Sequence, residues 1–158
     1  MKIEYYNLYT HFVFTTLHRE PVITENIREK IEKYMTGVVK NYSSRVYAIY
    51  ANPEHVHILI SRSPEISEVY LAEKLSSSIE NYINKQNICK FHFAWQETAS
   101  AFSVSKKDLD KVCKYILNQK EHHKKTSFDE EYKKFIQYYE KSLKSREEKD
   151  NNQTFSEK

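Results

Sequence analysis

Arg45-Val46-Tyr47-Ala48-Ile49-Tyr50-Ala51-Asn52-Pro53-Glu54-His55-Val56-His57-Ile58-Leu59-Ile60-Ser61 consists of two β-branched and aromatic runs divided by a turn triplet. The composition predicts strands over Arg45 to Ala51 and His55 to Ser61, and Asn52-Pro53-Glu54 predicts the turn that makes them an antiparallel hairpin. Alternate side chains of a strand share a face, so His55 and His57 point one way and Val56 the other. Two neutral imidazoles on one face suit a divalent transition metal. The same pattern also describes two half-buried histidines bonded to their neighbours. Spacing alone does not separate the two readings.

Outward from the hairpin, Tyr9 to Thr15 reads as a first strand. Thr24 is placed to cap a helix from about Glu25 to Asn41, with Ile27, Ile31, Tyr34, Met35 and Val38 at helical spacing, and Ser43-Ser44 ends it. A second helix is expected after Pro64, its apolar stripe being Ile66, Val69, Leu71, Leu75, Ile79, Tyr82 and Ile83. Phe91 to Trp95 and Ala101 to Val104 read as short strands. Ser105 caps a third predicted helix from Lys106 to His122, and Ser127 a fourth, running to Ser145. The order β-α-β-β-α-β-β-α-α defines an α+β fold, one mainly antiparallel sheet with helices packed on it.

The 158 residues are expected to form one domain over 1–145, with a charged, aperiodic and disordered tail over 146–158. Neither a signal peptide nor an apolar run of the roughly 20 residues needed for a membrane span is seen, so a cytoplasmic protein is expected. Cys89 and Cys113 belong to no Cys-x-x-Cys pattern and read as reduced, part-buried thiols. A net charge of +3 does not by itself announce a nucleic-acid binder. Its distribution is more telling: Lys106 to Lys125 holds seven lysines against three acids, in a chain with 13 tyrosines and a single glycine, Gly37. Tyrosine and lysine together suit base stacking and phosphate contacts, although most of these tyrosines are expected simply to fill the core.

On the third helix, Leu109, Val112, Cys113 and Ile116 make one apolar face, and Tyr115 and Gln119 lie one turn apart on its flank, with Lys111 and His122 on the same stripe. A tyrosine hydroxyl ionises near pH 10 and is a poor unaided nucleophile. An ion held by two imidazoles and an amide oxygen would polarise a phosphate, and Lys111 and Lys114 would hold DNA phosphates. The combination points to phosphoryl transfer.

These motifs, in this order, resemble the single-tyrosine HUH transposases of the insertion-sequence 200/605 type over about residues 5 to 140. The resemblance rests on Tyr9-Thr10-His11-Phe12-Val13-Phe14-Thr15-Thr16 with Arg19-Glu20-Pro21, and on Pro53-Glu54-His55-Val56-His57-Ile58-Leu59-Ile60. Ser76-Ser77 with Ile79, Phe93-Ala94-Trp95-Gln96, Ala101-Phe102-Ser103-Val104-Ser105, and Tyr115-Ile116-Leu117-Asn118-Gln119 with Glu121-His122-His123 complete it. It implies a ferredoxin-like HUH fold, Tyr115 as the nucleophile that forms a 5′-phosphotyrosine in single-stranded DNA, and His55, His57 and Gln119 as ligands of Mg²⁺ or Mn²⁺. It implies further a homodimer that recognises DNA hairpins at element ends and uses no nucleotide cofactor, with Arg19, Lys111 and Lys114 contacting DNA. The chain departs from the family pattern at Thr98-Ala99-Ser100, where a glycine-containing stretch is usual, and at Glu54, where Asp is usual. The glycines missing before the tyrosine helix bear on its mobility rather than on cleavage.

Three rivals stand beside this reading. A domesticated, repeat-associated tyrosine transposase or nickase shares the chemistry and differs in its target. A non-catalytic single-strand-binding module predicts neither metal dependence nor a covalent adduct. A zinc hydrolase built on His122-His123 is disfavoured, because adjacent helical residues point about 100° apart.

Overall fold

The computed structural model describes residues 1–122, 124–134, 136 and 137. The chain divides into two compact units, Met1–Gln119 and Lys120–Lys158. In the first, the elements follow the order β1 (Tyr9–Thr15), α1 (Glu25–Asn41), β2 (Arg45–Ala51), β3 (His55–Ser61), α2 (Glu68–Lys85), β4 (Ser100–Val104) and α3 (Leu109–Leu117), with α4 (Gln119–His122) beginning at its last residue. The four strands form one antiparallel sheet in the order β2-β3-β1-β4. This is the β-α-β-β-α-β arrangement of the ferredoxin-like fold, in agreement with the α+β expectation.

Alternation along the central strands divides the core in two. Phe12, Phe14, Val56, Ile58 and Ile60 pack with Ile31, Met35 and Val39 of α1 and with Leu71, Leu75, Ile79 and Ile83 of α2. The opposite face carries Tyr9, Ala48 and Leu59 against Ile116 of α3, with Leu109, Val112, Cys113 and Tyr115 partly buried beside them. Each aliphatic side chain taken fully out of water contributes roughly 1.5–3 kcal/mol, so both faces of the sheet are covered for a physical reason. A register shift between Val46 and Ala48 makes a bulge in β2. It sends Val46 to the α1/α2 side and Ala48 to the α3 side although they are two residues apart, which strict alternation forbids.

The helix caps follow the sequence in part. Thr24 stands at the first cap, but its carbonyl, not its hydroxyl, receives Ile27 N and Arg28 N. Ser67 caps α2 by accepting from Tyr70 N, and Ser105 accepts from Asp108 N. The buried stripe of α2 is Leu71, Leu75, Ile79 and Ile83; Val69 is 69% exposed. Two residues before Leu71, Val69 stands about 200° round the helix from that stripe. Tyr82 sits at the margin, stacked on Tyr34 with ring centroids 4.1 Å apart.

Two elements differ from expectation. Phe91 to Trp95 is not a strand; its one ladder contact is the isolated bridge between Thr16 and Trp95. Side chains of α2 bond this backbone instead. Phe93 N donates to Asn84 Oδ1 at 2.8 Å, Asn84 Nδ2 donates to Phe93 O at 2.9 Å, and Trp95 N donates to Glu80 Oε1 at 2.8 Å. The expected helix from Lys106 to His122 is a 3₁₀ turn over Lys106–Asp108, then α3, a break at Asn118 and α4.

In the second unit, residues 128–134 are helical. The Ser127 hydroxyl accepts from Glu130 N, and the Glu130 carboxylate accepts from Ser127 N, a reciprocal cap at the expected start. The expected end of that helix at Ser145, the expected tail over 146–158, and His123 lie outside the described residues. Among the described residues no helix is long and apolar enough to cross a membrane.

Asn84 supports a test of the loop's anchoring. Asn84→Ala leaves a part-buried N–H and carbonyl of Phe93 unbonded, at about 1–3 kcal/mol. We expect a loss of that size in urea unfolding, with the helical circular dichroism retained.

Candidate active site

Strand β3 carries His55 and His57 on the α3 side of the sheet, and both are buried. Their Nε2 atoms lie 3.0 Å apart. On β1, His11 brings its Nε2 to 2.9 Å from His57 Nδ1. Glu54, the last residue of the hairpin turn, places Oε1 at 3.2 Å from His55 Nδ1. Glu54, His55, His57 and His11 therefore form a chain of contacts at hydrogen-bond distance.

Asn52 joins that chain to the start of α4. Its amide Nδ2 lies 3.0 Å from His55 Nε2 and donates to Gln119 Oε1 at 3.3 Å. Gln119, fully buried, donates in turn to Tyr115 O at 3.5 Å. The break at Asn118 places Tyr115 on α3 and Gln119 at the start of α4, so one continuous helix does not carry both. Tyr115 is half-buried and stands edge-on to His57, with ring centroids 5.7 Å apart, and it lies 6.5 Å from the His11 ring.

Four residues singled out in the sequence, His55, His57, Tyr115 and Gln119, thus meet in one place. Arg19, Lys111 and Lys114 are exposed: Arg19 ends the tight turn Leu17–Arg19, with a left-handed φ of 56°, and the two lysines lie on α3. His122 is exposed as well. Three members of the cluster were not singled out. Asn52 reads as a turn former, His11 as one more residue of a strand, and Glu54 as an unremarkable neighbour of the histidine pair. The one signal for His11 and Glu54 is polarity inside or beside apolar runs, which names no partner. Cys89 and Cys113 are free, part-buried thiols as expected, and burial raises both pKa values, with Asp110 adding to the rise at Cys113.

The donor set fits a divalent cation. Two imidazole nitrogens 3.0 Å apart are both within reach of one ion at bonds of about 2.1 Å. Gln119 Oε1, gathered to the same place through the Asn52 amide, adds a neutral oxygen donor. Imidazole with an amide oxygen suits ions that accept mixed nitrogen and oxygen ligands, and it leaves coordination positions for substrate.

The match to known proteins agrees with this architecture. The sheet carries the paired histidines on a central strand, and the helix that covers them carries the tyrosine. The family model described as "Transposase IS200 like" matches residues 4–119, and the chain belongs to that family. No curated protein matches it in sequence. Among solved structures it is similar to a putative transposase from Deinococcus radiodurans R1, at 18% identity and a TM-score of 0.61 over 75% of this chain and 98% of that one. It is also similar to a REP-associated tyrosine transposase bound to a REP hairpin, at 13% identity and a TM-score of 0.57 over 78% of this chain and 74% of that one. At these identities the likeness is one of fold.

Burial holds the His11 pKa down at about 4. The unfolded chain, with an imidazole near 6.5, therefore takes up this proton first as the solution is acidified. The stabilisation is complete above the unfolded value and is lost as pH falls toward the folded one. We expect His11 to account for about 2 kcal/mol of lost stability between about pH 7 and pH 5. Urea unfolding across that range measures it, and His11→Gln should show a shallower dependence.

Proposed function

We propose that this transposase-family protein cleaves and rejoins single-stranded DNA with Tyr115 as nucleophile and His55, His57 and Gln119 as ligands of Mg²⁺ or Mn²⁺. The observation that supports it best is that His55 Nε2 lies 3.0 Å from His57 Nε2 and 3.0 Å from the Asn52 amide that also holds Gln119 Oε1, with the Tyr115 ring against His57.

In this reading the Tyr115 oxygen attacks a backbone phosphorus. A Tyr–O–P bond forms, the P–O3′ bond breaks, and the proton lost by the tyrosine is balanced by the one gained at the leaving 3′-hydroxyl. The phosphotyrosine keeps the energy of the broken ester, so a 3′-hydroxyl can attack it in the reverse sense and reseal a strand without ATP. An ion held by His55, His57 and Gln119 would supply positive charge that polarises the phosphate. His55 and His57, fixed on a central strand, and Gln119, held by Asn52, keep the ligands in place without reorganisation at the moment of reaction. The exposed Lys111 and Lys114 on the tyrosine helix, with Arg19, contact the DNA backbone.

The partner proposed is single-stranded DNA with a hairpin at the element end, recognised in the cytoplasm by a homodimer. The hairpin to which the REP-associated neighbour is bound supports the choice of a hairpin as partner. That neighbour also keeps open the repeat-associated variant of the same chemistry, which differs in the DNA it recognises.

The test is incubation with hairpin-bearing single-stranded DNA, with and without Mg²⁺ or Mn²⁺, followed by a denaturing gel. We expect a metal-dependent covalent adduct that disappears in Tyr115→Phe and falls at least 100-fold in His57→Ala, a loss of about 2.7 kcal/mol of transition-state stabilisation. Binding without an adduct across a range of hairpins and both metals would favour the non-catalytic binding module.

A further inference from the structure

We propose that Glu54 is a positioning residue: its carboxylate fixes His55 in the tautomer protonated at Nδ1, leaving Nε2 as a lone pair aimed at the His57–Gln119 cluster. The functional consequence rests on the metal reading above, because a ligand must present an unprotonated nitrogen. The tautomer assignment does not.

Two independent contacts lead to the same assignment. A carboxylate oxygen accepts hydrogen bonds and cannot donate, so the 3.2 Å contact between Glu54 Oε1 and His55 Nδ1 places the proton on Nδ1. At the other end of the ring, the Asn52 amide nitrogen 3.0 Å from Nε2 donates and cannot accept. Glu54 and Asn52 therefore both ask for Nδ1–H and a bare Nε2, and the remaining neighbour at 3.0 Å, His57 Nε2, is left as the donor in its contact with that nitrogen. A carboxylate behind a ligating histidine also raises its basicity and holds its ring plane.

The backbone makes the arrangement rigid. Thr16 N and Thr16 Oγ1 both donate to Glu54 O, at 2.9 and 3.0 Å. Ile23 N donates to Pro53 O at 2.9 Å, and Asn52 N donates to His55 O at 2.8 Å. The turn is thus tied to the loop after β1, to the segment before α1 and to its own hairpin. Its side chains project from a fixed base, with Glu54 reaching one nitrogen of His55 and Asn52 the other. His57 is backed differently, by the imidazole of His11 at 2.9 Å. The two proposed ligands are therefore backed by different groups, a carboxylate at His55 and an imidazole at His57.

The experiment is long-range ¹H–¹⁵N correlation of the imidazoles in the metal-free protein at neutral pH, paired with Mn²⁺ titration by calorimetry. Wild type should show a protonated Nδ1 and an unprotonated Nε2 at His55. Glu54→Gln, whose amide oxygen still accepts, should keep that pattern. Glu54→Leu should lose it, with Mn²⁺ affinity falling about 10- to 100-fold; Glu54→Ala serves the same purpose if the leucine variant does not fold. A merely structural role would lower the unfolding midpoint without changing the tautomer. Protonation of His55 at Nε2 in wild type, or an unchanged pattern in the leucine and alanine variants, would overturn the proposal. A protein that shows the expected tautomers yet takes up no Mn²⁺ supports the assignment to Glu54 and overturns the metal reading alone.

Discussion

Strand β3 is hydrogen-bonded along both edges, to β2 on one side and β1 on the other, and the site depends on those two registers. The side-chain period of a strand is two, so a slip of one residue would turn His55 and His57 toward α1 and α2 and send Val56 and Ile58 to the α3 side. The hydrophobic core forbids that slip. Val56, Ile58 and Ile60 are fully buried against the two long helices, and each would have to be replaced there by a polar or mismatched group. The apolar half of the strand thus fixes the position of its polar half. Pairing with β1 has a second effect, because it brings His11 within reach of His57.

A buried polar cluster is costly unless its members are bonded to one another. Here the cost is offset along a continuous path: Glu54 to His55, His55 to His57 and to Asn52, Asn52 to Gln119, and His57 to His11. Such a network contributes less to stability than an apolar filling of the same volume would, and what it supplies is fixed geometry. Burial depresses the His11 pKa to about 4, keeping that ring neutral over the range in which an ordinary histidine titrates.

Much of the fold was legible because local pattern and tertiary demand agree. β1, β2 and β3 carry β-branched and aromatic residues between turn formers, and their bounds coincide with expectation. Leu71, Leu75, Ile79 and Ile83 give α2 its buried face directly. Where the reading failed, a distant group had taken over a local role. Phe91 to Trp95 has strand composition, yet its pairing beyond β1 is confined to the bridge at Thr16, and Asn84 and Glu80 bond the backbone of Phe93 and Trp95. The break at Asn118 interrupts a periodicity that continues without a flaw in the sequence. The bulge between Val46 and Ala48 reconciles two faces of a core that only the assembled sheet defines.

The candidate site divides in the same way. The sequence by itself determined that His55 and His57 share a face, because that follows from the period of a strand; it put Tyr115 and Gln119 a turn apart on one helix, which the break at Asn118 divides between α3 and α4. It also carried the family, through the order of those motifs. Only the tertiary structure brought the two halves together and enrolled Asn52, His11 and Glu54. The partners of these three lie on other elements or around a turn, at distances set by strand register and backbone hydrogen bonds. A side chain's periodicity is a local property of the chain; its hydrogen-bond partner is a property of the packed whole.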